Sequence, residues 1–377
     1  MPLELAPYLA VLPAAIYSLL TAWCGRCFFG RPATPATPQP DVTIIKPVKG
    51  MDEGSYENFA TFCNQRYNGK IQLLFAVADL QDPAIPVIRR LIEDYPHCTI
   101  ELNIDPTIHG PNHKVSNLIN AFPKARHDLL VICDSDIRVP EEFLSSVTSH
   151  FAAPEIGLVS SPYRSRLVHG PVTALEALAF TCEMTPNVLT ALRLEGLSFA
   201  LGAAMTFRRQ ALDDIGGLAA LVNYLADDYQ LGNKIHRAGW RLALDRQFVD
   251  SMMRPERFSG LLARQIRWAR TMRVSRPGGY FASGITLPGL ACLAAAAIPA
   301  GLHSLLAIIL LYAIRLGVCT IYSRVWVEDR LLPRWAWLLP LRDLLAAGTW
   351  LLAFLGNRVM WRGQRFRIAA NGTMTRC

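Results

Sequence analysis

The chain has 377 residues, of which 51% are hydrophobic, and a formal net charge of +8. Nine scattered cysteines, an odd number, are atypical of a disulfide-stapled secreted domain and indicate reduced thiols. The basic charge suits phosphate-bearing ligands or an anionic membrane surface, whereas no nucleic-acid-binding module is recognisable, so we expect no nucleic-acid partner.

The first predicted element is an apolar helix near the N-terminus. Residues 8–24 carry no charge and are long enough to span a bilayer core of about 30 Å. A cleaved signal peptide is the alternative, but Arg26 and Arg31 follow the apolar run instead of preceding it. We therefore predict a membrane anchor over residues 1–30 and a Pro-rich linker over residues 31–40.

The central region, residues 41–253, alternates between two kinds of pattern. Short β-like runs such as DVTIIKP, IQLLFAVAD and DLLVICDSD are separated by helical runs such as AIPVIRRLIEDY. This alternation predicts βαβ units around a largely parallel sheet. Ligands of such sheets bind beyond the carboxyl ends of the strands.

Two of the predicted strands end in acidic residues. Asp79 closes one strand, and Asp134 and Asp136 close another. Because the carboxyl ends of parallel strands share an edge, we expect these carboxylates to converge on one crevice. Paired carboxylates hold hard divalent cations such as Mg²⁺, commonly together with substrate phosphates. The alternative is that Asp134 caps the following turn or pairs with Arg138.

Two further apolar regions follow the central one. Residues 281–323 are interrupted only at IPAGLHS and Arg315, which predicts a transmembrane hairpin. Residues 334–356 carry Arg342 and Asp343, and charges are costly in lipid. This last segment is therefore predicted either to span the membrane or to re-enter it.

Basic residues predict the orientation and a surface helix. The tail 357–377 contains five arginines and no acid, so we expect it to be cytosolic, like the central region. An anchor, a hairpin and a re-entrant segment satisfy that topology, and a four-span arrangement is the competing count. Residues 254–280 contain seven arginines among apolar residues and are predicted to lie at the membrane interface, with a solvated basic helix as the alternative.

Six motifs then occur in a characteristic order between residues 41 and 276. They are IIKPVKG, FAVADLQDPAI, PNHKVSNL, ICDSDIRV, LADDYQLGNKIHRAGWR and RQIRW. Together they resemble family 2/21-type glycosyltransferases, most closely ceramide glucosyltransferases and their bacterial hopanoid-biosynthesis-associated relatives. The resemblance implies an α/β, Rossmann-like GT-A catalytic domain with a mostly parallel sheet, flanked by N-terminal and C-terminal transmembrane helices.

The resemblance also implies roles for individual residues. Asp228 matches the catalytic base, and Asp136 completes with Asp134 a DxD site for Mn²⁺ or Mg²⁺. His113 stands where the animal enzymes carry Pro, which leaves its role open. Gly202 matches a glycine beside the acceptor pocket, where it permits close approach. The implied donor-binding residues are Asp79, Lys114, Asn117, Asp134 and Gln265, and the implied catalytic signature is Arg264, Arg267 and Trp268.

The activity implied by the resemblance is an inverting transfer of a hexose from a UDP-sugar to a lipid hydroxyl. Glucose is the favoured sugar and N-acetylglucosamine the second; ceramide, a hopanoid and diacylglycerol are the candidate acceptors. The implied location is a membrane, with the bacterial inner membrane favoured and the catalytic domain facing the cytoplasm. Two rivals are a processive polysaccharide synthase, which would need more spans, and a non-catalytic nucleotide-sugar-binding membrane protein.

Overall fold

The computed structural model describes residues 3–30 and 39–377, so most of the predicted Pro-rich linker lies outside the described residues. The chain divides into two compact units, each of which combines segments that are distant in sequence. The sheet unit consists of residues 39–167 and Leu197–Arg254; the helical unit consists of residues 3–30, Val168–Gly196 and Pro255–Cys377. The predicted region 41–253 thus contributes its Val168–Gly196 segment to the helical unit.

Short strands and helices alternate through the sheet unit, as the sequence pattern predicts. Over the described residues of both units, the strands are β1 Val42–Val48, β2 Ile71–Val77, β3 Thr99–Ile104, β4 Leu129–Cys133, β5 Ile137–Arg138, β6 Ile156–Ser160, β7 Tyr163–Arg166, β8 Ala204–Arg208, β9 Arg241–Leu244, β10 Val249–Met252, β11 Arg358–Trp361, β12 Gln364–Ile368 and β13 Met374–Arg376. The helices are α1 Ala6–Phe29, α2 Ser55–Ala60, α3 Ala84–Asp94, α4 His113–Ala121, α5 Phe143–Ser149, α6 Pro171–Ala179, α7 Thr185–Leu194, α8 Arg209–Asp213, α9 Asp227–Arg237, α10 Phe258–Ser275, α11 Pro277–Ser283, α12 Pro288–Ala297, α13 Leu302–Ile321, α14 Leu332–Trp335 and α15 Leu339–Phe354.

The sheet unit is organised by a seven-stranded sheet in the order β3-β2-β1-β4-β8-β6-β9. Strand β8 runs antiparallel to β4 and β6, and the other neighbours are parallel. Every residue of β1 is buried, as expected for a strand covered on both faces. Helix α3 buries Ile85, Ile88 and Leu91, which lie on one helical face. The fold is therefore α/β with a mostly parallel sheet, as predicted.

The helical unit contains the apolar segments. Among residues 3–30 and 39–377, three helices are long and apolar enough to cross a membrane: Leu3–Phe29, Leu302–Trp326 and Leu332–Phe354. The first arm of the predicted hairpin differs from a straight helix, because Pro277–Thr286 and Pro288–Ala297 meet at a 50° bend. Pro288 begins the second helix of this pair, where its missing N–H costs no internal hydrogen bond. Counted as one span, the bent pair would bring the number of spans to four.

The charges that interrupt the C-terminal apolar segments are paired inside the helical unit. Arg315 on α13 donates from Nε and Nη2 to the Asp343 carboxylate on α15, at 2.6 and 2.5 Å. Arg342 donates to Glu183 at 2.6 Å. Pairing reduces the cost of burying such groups away from water, so charged residues are compatible with a continuous α15.

Candidate active site

The carboxyl edge of the central sheet brings several predicted site residues together. Asp134 follows β4, and its carboxylate lies 2.7 Å from Lys114 Nζ on α4. Arg138 instead donates from Nε to Asn58 Oδ1 at 2.6 Å. The sequence left open an Asp134–Arg138 ion pair, and the structure gives each residue a different partner.

Lys114 connects two acidic segments. Its ammonium also lies 3.5 Å from Asp227 Oδ2, at the start of α9. Burial lowers the pKa of Lys114, but attraction to Asp134 and Asp227 outweighs that effect, so the pKa is raised. Lys114 therefore stays charged and offsets the repulsion among the surrounding carboxylates.

Asn112 fixes α4 against the start of α9, a role that the sequence analysis missed. Its Oδ1 accepts from Val115 N at 3.1 Å and so caps α4. Its Nδ2 donates to Tyr224 O at 2.9 Å and to Asp227 Oδ1 at 3.2 Å. An Asn directly before a helical pattern is a capping signal that could have identified it.

Asp228, the implied base, lies in the first turn of α9. Burial, then repulsion from Asp227, raises the pKa of Asp228 to about 6, while Lys114 acts in the opposite direction. Its Oδ1 accepts a hydrogen bond from Tyr229 N at 2.8 Å. A Cβ atom at Gly202 would lie only 2.6 Å from Asp228 Oδ2. Gly202 therefore makes room for the Asp228 carboxylate, whereas the sequence analysis had associated it with the acceptor.

Asp136 lies among other carboxylates. Burial, then repulsion from Asp134 and Asp52, raises the pKa of Asp136 to about 7. Within residues 39–377 the Asp136 carboxylate has no ion pair and accepts no hydrogen bond from another side chain. An acidic group left without a cationic partner beside two other acids is the charge pattern that a divalent cation would neutralise.

The residues present fit a hard divalent cation held jointly with a ligand. Asp134 and Asp136 offer carboxylate oxygens, which Mn²⁺ and Mg²⁺ accept. Among the described residues no group of three or more His, Cys, Asp or Glu side chains forms a complete metal site. The remaining coordination positions would therefore fall to water or to phosphate oxygens of the donor.

The loop after β1 supplies Asp52, which the sequence analysis also missed. Asp52 accepts a hydrogen bond from Ser135 Oγ, inside the DxD motif, and pairs with Arg254. The signal was its position: Asp52 follows a strand whose carboxyl end lies at the ligand-binding edge. It orders the segment between Asp134 and Asp136.

Lys46 on β1 lies behind the same segment. It is 0% exposed, and its Nζ donates to Asp134 O at 2.9 Å. Its ammonium also lies 4.1 Å from the centre of the Phe62 ring, a cation–π contact. These contacts replace lost hydration and tie the Asp134 main chain to the buried strand.

Two other implied donor-binding residues, Asp79 and Asn117, lie outside the group of contacts around Lys114. Asp79 is exposed, and its Oδ1 accepts from Gln81 N at 2.9 Å in its own turn. Strand β1 lies between β2 and β4, so Asp79 is on the same edge as Asp134 but two strands away, about 10 Å. Asn117 is buried on α4, three residues after Lys114 and on a neighbouring face.

The RQIRW motif lies on α10, in the helical unit. Arg264 donates from Nε to Glu176 Oε1 at 2.7 Å and from Nη1 to Glu256 Oε1 at 3.0 Å. Gln265 is buried, and its Oε1 accepts from Arg342 Nη1 at 3.1 Å. Glu176 is 88 residues from Arg264 in the chain, so no local sequence pattern predicts this ion pair.

The rest of the motif surrounds an aromatic ring. The guanidinium carbons of Arg264 and Arg267 each lie 5.9 Å from the Trp268 ring centre. The Trp268 and Phe180 ring centres are 6.0 Å apart. Trp268 therefore packs within the helical unit and contributes to the position of the two arginines.

The comparison that decides the family covers nearly the whole chain. The family model described as Glycosyl transferase family 21 matches residues 6–374. The chain belongs to glycosyl transferase family 21. The family resemblance of the six ordered motifs is thereby confirmed.

Relatives of this family 21 chain include ceramide glucosyltransferases. Ceramide glucosyltransferase 3 of Caenorhabditis elegans is 27% identical over 232 residues, 61% of this chain and 50% of the relative. The ceramide glucosyltransferase of Gibberella zeae is 30% identical over 171 residues, 42% of this chain and 32% of the relative. The matches thus span half or less of the curated relatives' length.

A solved structure supports the fold of the family 21 chain. The mannosyltransferase PcManGT from Pyrobaculum calidifontis, solved with GDP-Man and Mn²⁺, has a TM-score of 0.55 and 20% identity. The similarity covers 94% of this chain and 98% of that chain. It confirms the predicted GT-A architecture.

Proposed function

We propose that this family 21 protein transfers a hexose from a UDP-sugar to the hydroxyl group of a membrane lipid, with inversion at the anomeric carbon. Glucose is the favoured sugar, because the relatives that match this chain are named ceramide glucosyltransferases. N-acetylglucosamine is the second candidate. A ceramide or a hopanoid-like lipid is the favoured acceptor, and diacylglycerol is the third.

The observation that carries the proposal is the raised pKa of Asp228, about 6, in a carboxylate placed against Gly202. Such a group is largely ionised at pH 7, yet it is a stronger base than an ordinary Asp. In the proposed reaction Asp228 takes the acceptor hydroxyl proton. The acceptor oxygen bonds to the anomeric carbon as the bond to the phosphate oxygen breaks, and UDP leaves with its electron pair.

The neighbouring residues would hold the donor. Asp134 and Asp136 would hold Mn²⁺ or Mg²⁺ together with the diphosphate, and the cation would stabilise negative charge on the leaving group. Lys114 keeps Asp134 oriented through its 2.7 Å contact, and Asn117 lies on the same helix. Asp79, on the same sheet edge, is proposed to bind the uridine side of the donor.

The residues of RQIRW are proposed to have two kinds of role, positioning of the helix and catalysis. Two carboxylates occupy the Arg264 guanidinium, so we assign it to positioning α10. The side-chain oxygen of Gln265 accepts a hydrogen bond from Arg342. A donor-binding role for Gln265 is therefore proposed only because of its place in the motif. Arg267 and Trp268 remain the proposed catalytic members of the motif, on the basis of its resemblance.

The proposed location is a membrane whose cytosolic face carries the sheet unit. Three candidate spans and the basic sequence around them support this orientation. A bacterial inner membrane is the favoured compartment. The candidate spans leave a polysaccharide synthase as the less favoured rival, since a sugar channel would need more helices.

The test uses the full chain reconstituted in lipid nanodiscs with Mn²⁺. It is incubated separately with UDP-glucose, UDP-N-acetylglucosamine and UDP-galactose in the presence of total lipid, and the products are identified by mass spectrometry. A lipid carrying one hexose supports the proposal. A long polymer would support the synthase, and donor binding with no product from any lipid extract would support a non-catalytic protein.

A further inference from the structure

The end of the chain forms a small sheet that none of the proposed chemistry uses. Strands β11, β12 and β13 make a three-stranded antiparallel sheet, hereafter the arginine sheet. One face is apolar and buried, formed by Val359, Phe366, Ile368 and Met374. The arginine sheet is therefore a packed element of the helical unit and not a loose tail.

The exposed side of the arginine sheet is strongly basic. Its arginines are all exposed, and residues 355–377 contain no acidic residue. Within the described residues none of these arginines forms an ion pair with an acid. Arg358, Arg365 and Arg367 lie opposite the apolar face, Arg362 lies in the turn between β11 and β12, and Arg376 lies at the margin of the apolar face, paired in register with Phe366.

Two of these arginines are directly opposed. Arg358 on β11 pairs in register with Arg367 on β12. Like charges that face each other across antiparallel strands destabilise the pairing. An anion bound from outside the chain would offset this repulsion.

The position of the arginine sheet indicates the source of that anion. The sheet begins four residues after Phe354, the last residue of the candidate span Leu332–Phe354. Met360, 48% exposed, and the partly exposed Trp361 lie among the arginines, a mixture typical of surfaces that meet lipid headgroups. A short connection to a span keeps this basic surface close to the headgroup layer.

The arginine sheet is also connected to the RQIRW helix. Arg270 on α10 donates from Nη1 to Arg358 O, and Arg273 donates from Nη2 to Gly356 O at 3.4 Å. These bonds use the main-chain oxygen of Arg358 and that of Gly356, two residues before β11, and leave the side chain of Arg358 available. A partner that fixes the sheet therefore also fixes the C-terminal half of α10.

We propose that the exposed arginines of the arginine sheet bind the phosphate groups of anionic phospholipids on the cytosolic leaflet. Arginine suits this partner because its planar guanidinium donates two hydrogen bonds to one phosphate. The binding stabilises the pairing of β11 with β12 and, through Arg358 O, holds α10 at the membrane surface. This inference does not depend on which sugar or lipid acceptor the enzyme uses.

The experiment compares the full chain in phosphatidylcholine nanodiscs with the same chain in discs containing 30% phosphatidylglycerol. Hydrogen–deuterium exchange is measured for peptides covering 355–377 and 265–275. The expected result is slower exchange of both segments in the anionic discs. Because screening weakens such attraction, 0.5 M NaCl should reduce the difference.

Matched double variants locate the effect. Arg358→Gln with Arg367→Gln removes the opposed pair, whereas Arg89→Gln with Arg237→Gln removes the same charge from exposed positions of the sheet unit. Each basic residue near an anionic surface contributes about five-fold to the affinity for that surface. The Arg358/Arg367 variant should therefore bind anionic lipid roughly 25-fold more weakly, and its hydrogen exchange should slow little when phosphatidylglycerol is present. The control variant should keep the wild-type response.

Folding is checked separately. In neutral detergent the Arg358/Arg367 variant should melt at or above the wild-type temperature, because it no longer contains two opposed positive charges. Protection by phosphatidylglycerol that survives in this variant would overturn the proposal. Equal protection in phosphatidylcholine discs on adding inorganic phosphate or single-stranded RNA would also overturn it, in favour of a soluble anion.

Discussion

Gly202 and Asp228 are in close contact: a Cβ atom at position 202 would lie 2.6 Å from Asp228 Oδ2. Gly202 lies before β8, and Asp228 lies in the first turn of α9. The position of the proposed base thus depends on a residue that has no side chain. The main chain before β8 therefore limits where the carboxylate that would accept the proton can lie.

Gly202→Ala should therefore displace the Asp228 carboxylate. We expect kcat to fall at least ten-fold with a smaller change in donor KM, and the free energy of unfolding to fall by about 1 to 3 kcal/mol. Steady-state kinetics and thermal unfolding measure both effects. Gly170→Ala is the matched control, because nothing lies within 4 Å of a Cβ atom there. Wild-type kinetics in the Gly202→Ala variant would show that the position of the Asp228 carboxylate does not require glycine at residue 202.

Arg264 offers a test that separates positioning from catalysis. Arg264→Met leaves Glu176 and Glu256 without their shared cation, so we expect a loss of roughly 2 to 4 kcal/mol in stability. Adding Glu176→Met should restore much of that loss, because the uncompensated buried carboxylate is removed. Thermal unfolding and turnover are measured for both variants. If the double variant regained stability but stayed inactive, Arg264 would be catalytic.

The pH dependence of kcat/KM follows from the pKa of Asp228. A general base acts in its ionised form, so activity should fall about ten-fold per pH unit below a pKa near 6 and level off above 7. The profile is recorded at saturating Mn²⁺, so that metal loss does not contribute. A midpoint near 4, the value of an ordinary Asp, would mean that Asp228 is not the group observed.

Removing the divalent cation should stop turnover. Chelation is expected to abolish product formation, and Mn²⁺ or Mg²⁺ should restore it. Asp136→Asn should bind Mn²⁺ at least ten-fold more weakly, measured by electron paramagnetic resonance of the free ion. Asp128→Asn, a fully exposed acid in the same unit, is the control. Full activity after exhaustive chelation would show that the cation is dispensable.

Local sequence patterns predicted the sheet and the acids at its edge, because strand alternation and strand-end positions are encoded over a few residues. Spatial partners were harder to predict. Strand β1 separates Asp79 from Asp134, and that strand order is set by tertiary packing. The pairing of Arg264 with Glu176, like the main-chain contact of Lys46 with Asp134, joins distant segments. No single-sequence pattern predicts such contacts.

The proposed reaction is tested most directly by comparing the wild-type chain with Asp228→Asn in the same nanodisc assay. Wild-type protein with UDP-glucose and Mn²⁺ should yield a lipid β-hexoside, identified by mass spectrometry and the anomeric proton coupling. Asp228→Asn should bind UDP normally but turn over at least 100-fold more slowly. The variant should also be more stable at pH 7, by up to about 3 kcal/mol, because burial destabilises the ionised carboxylate. Near-normal turnover in this folded, donor-binding variant would contradict the account.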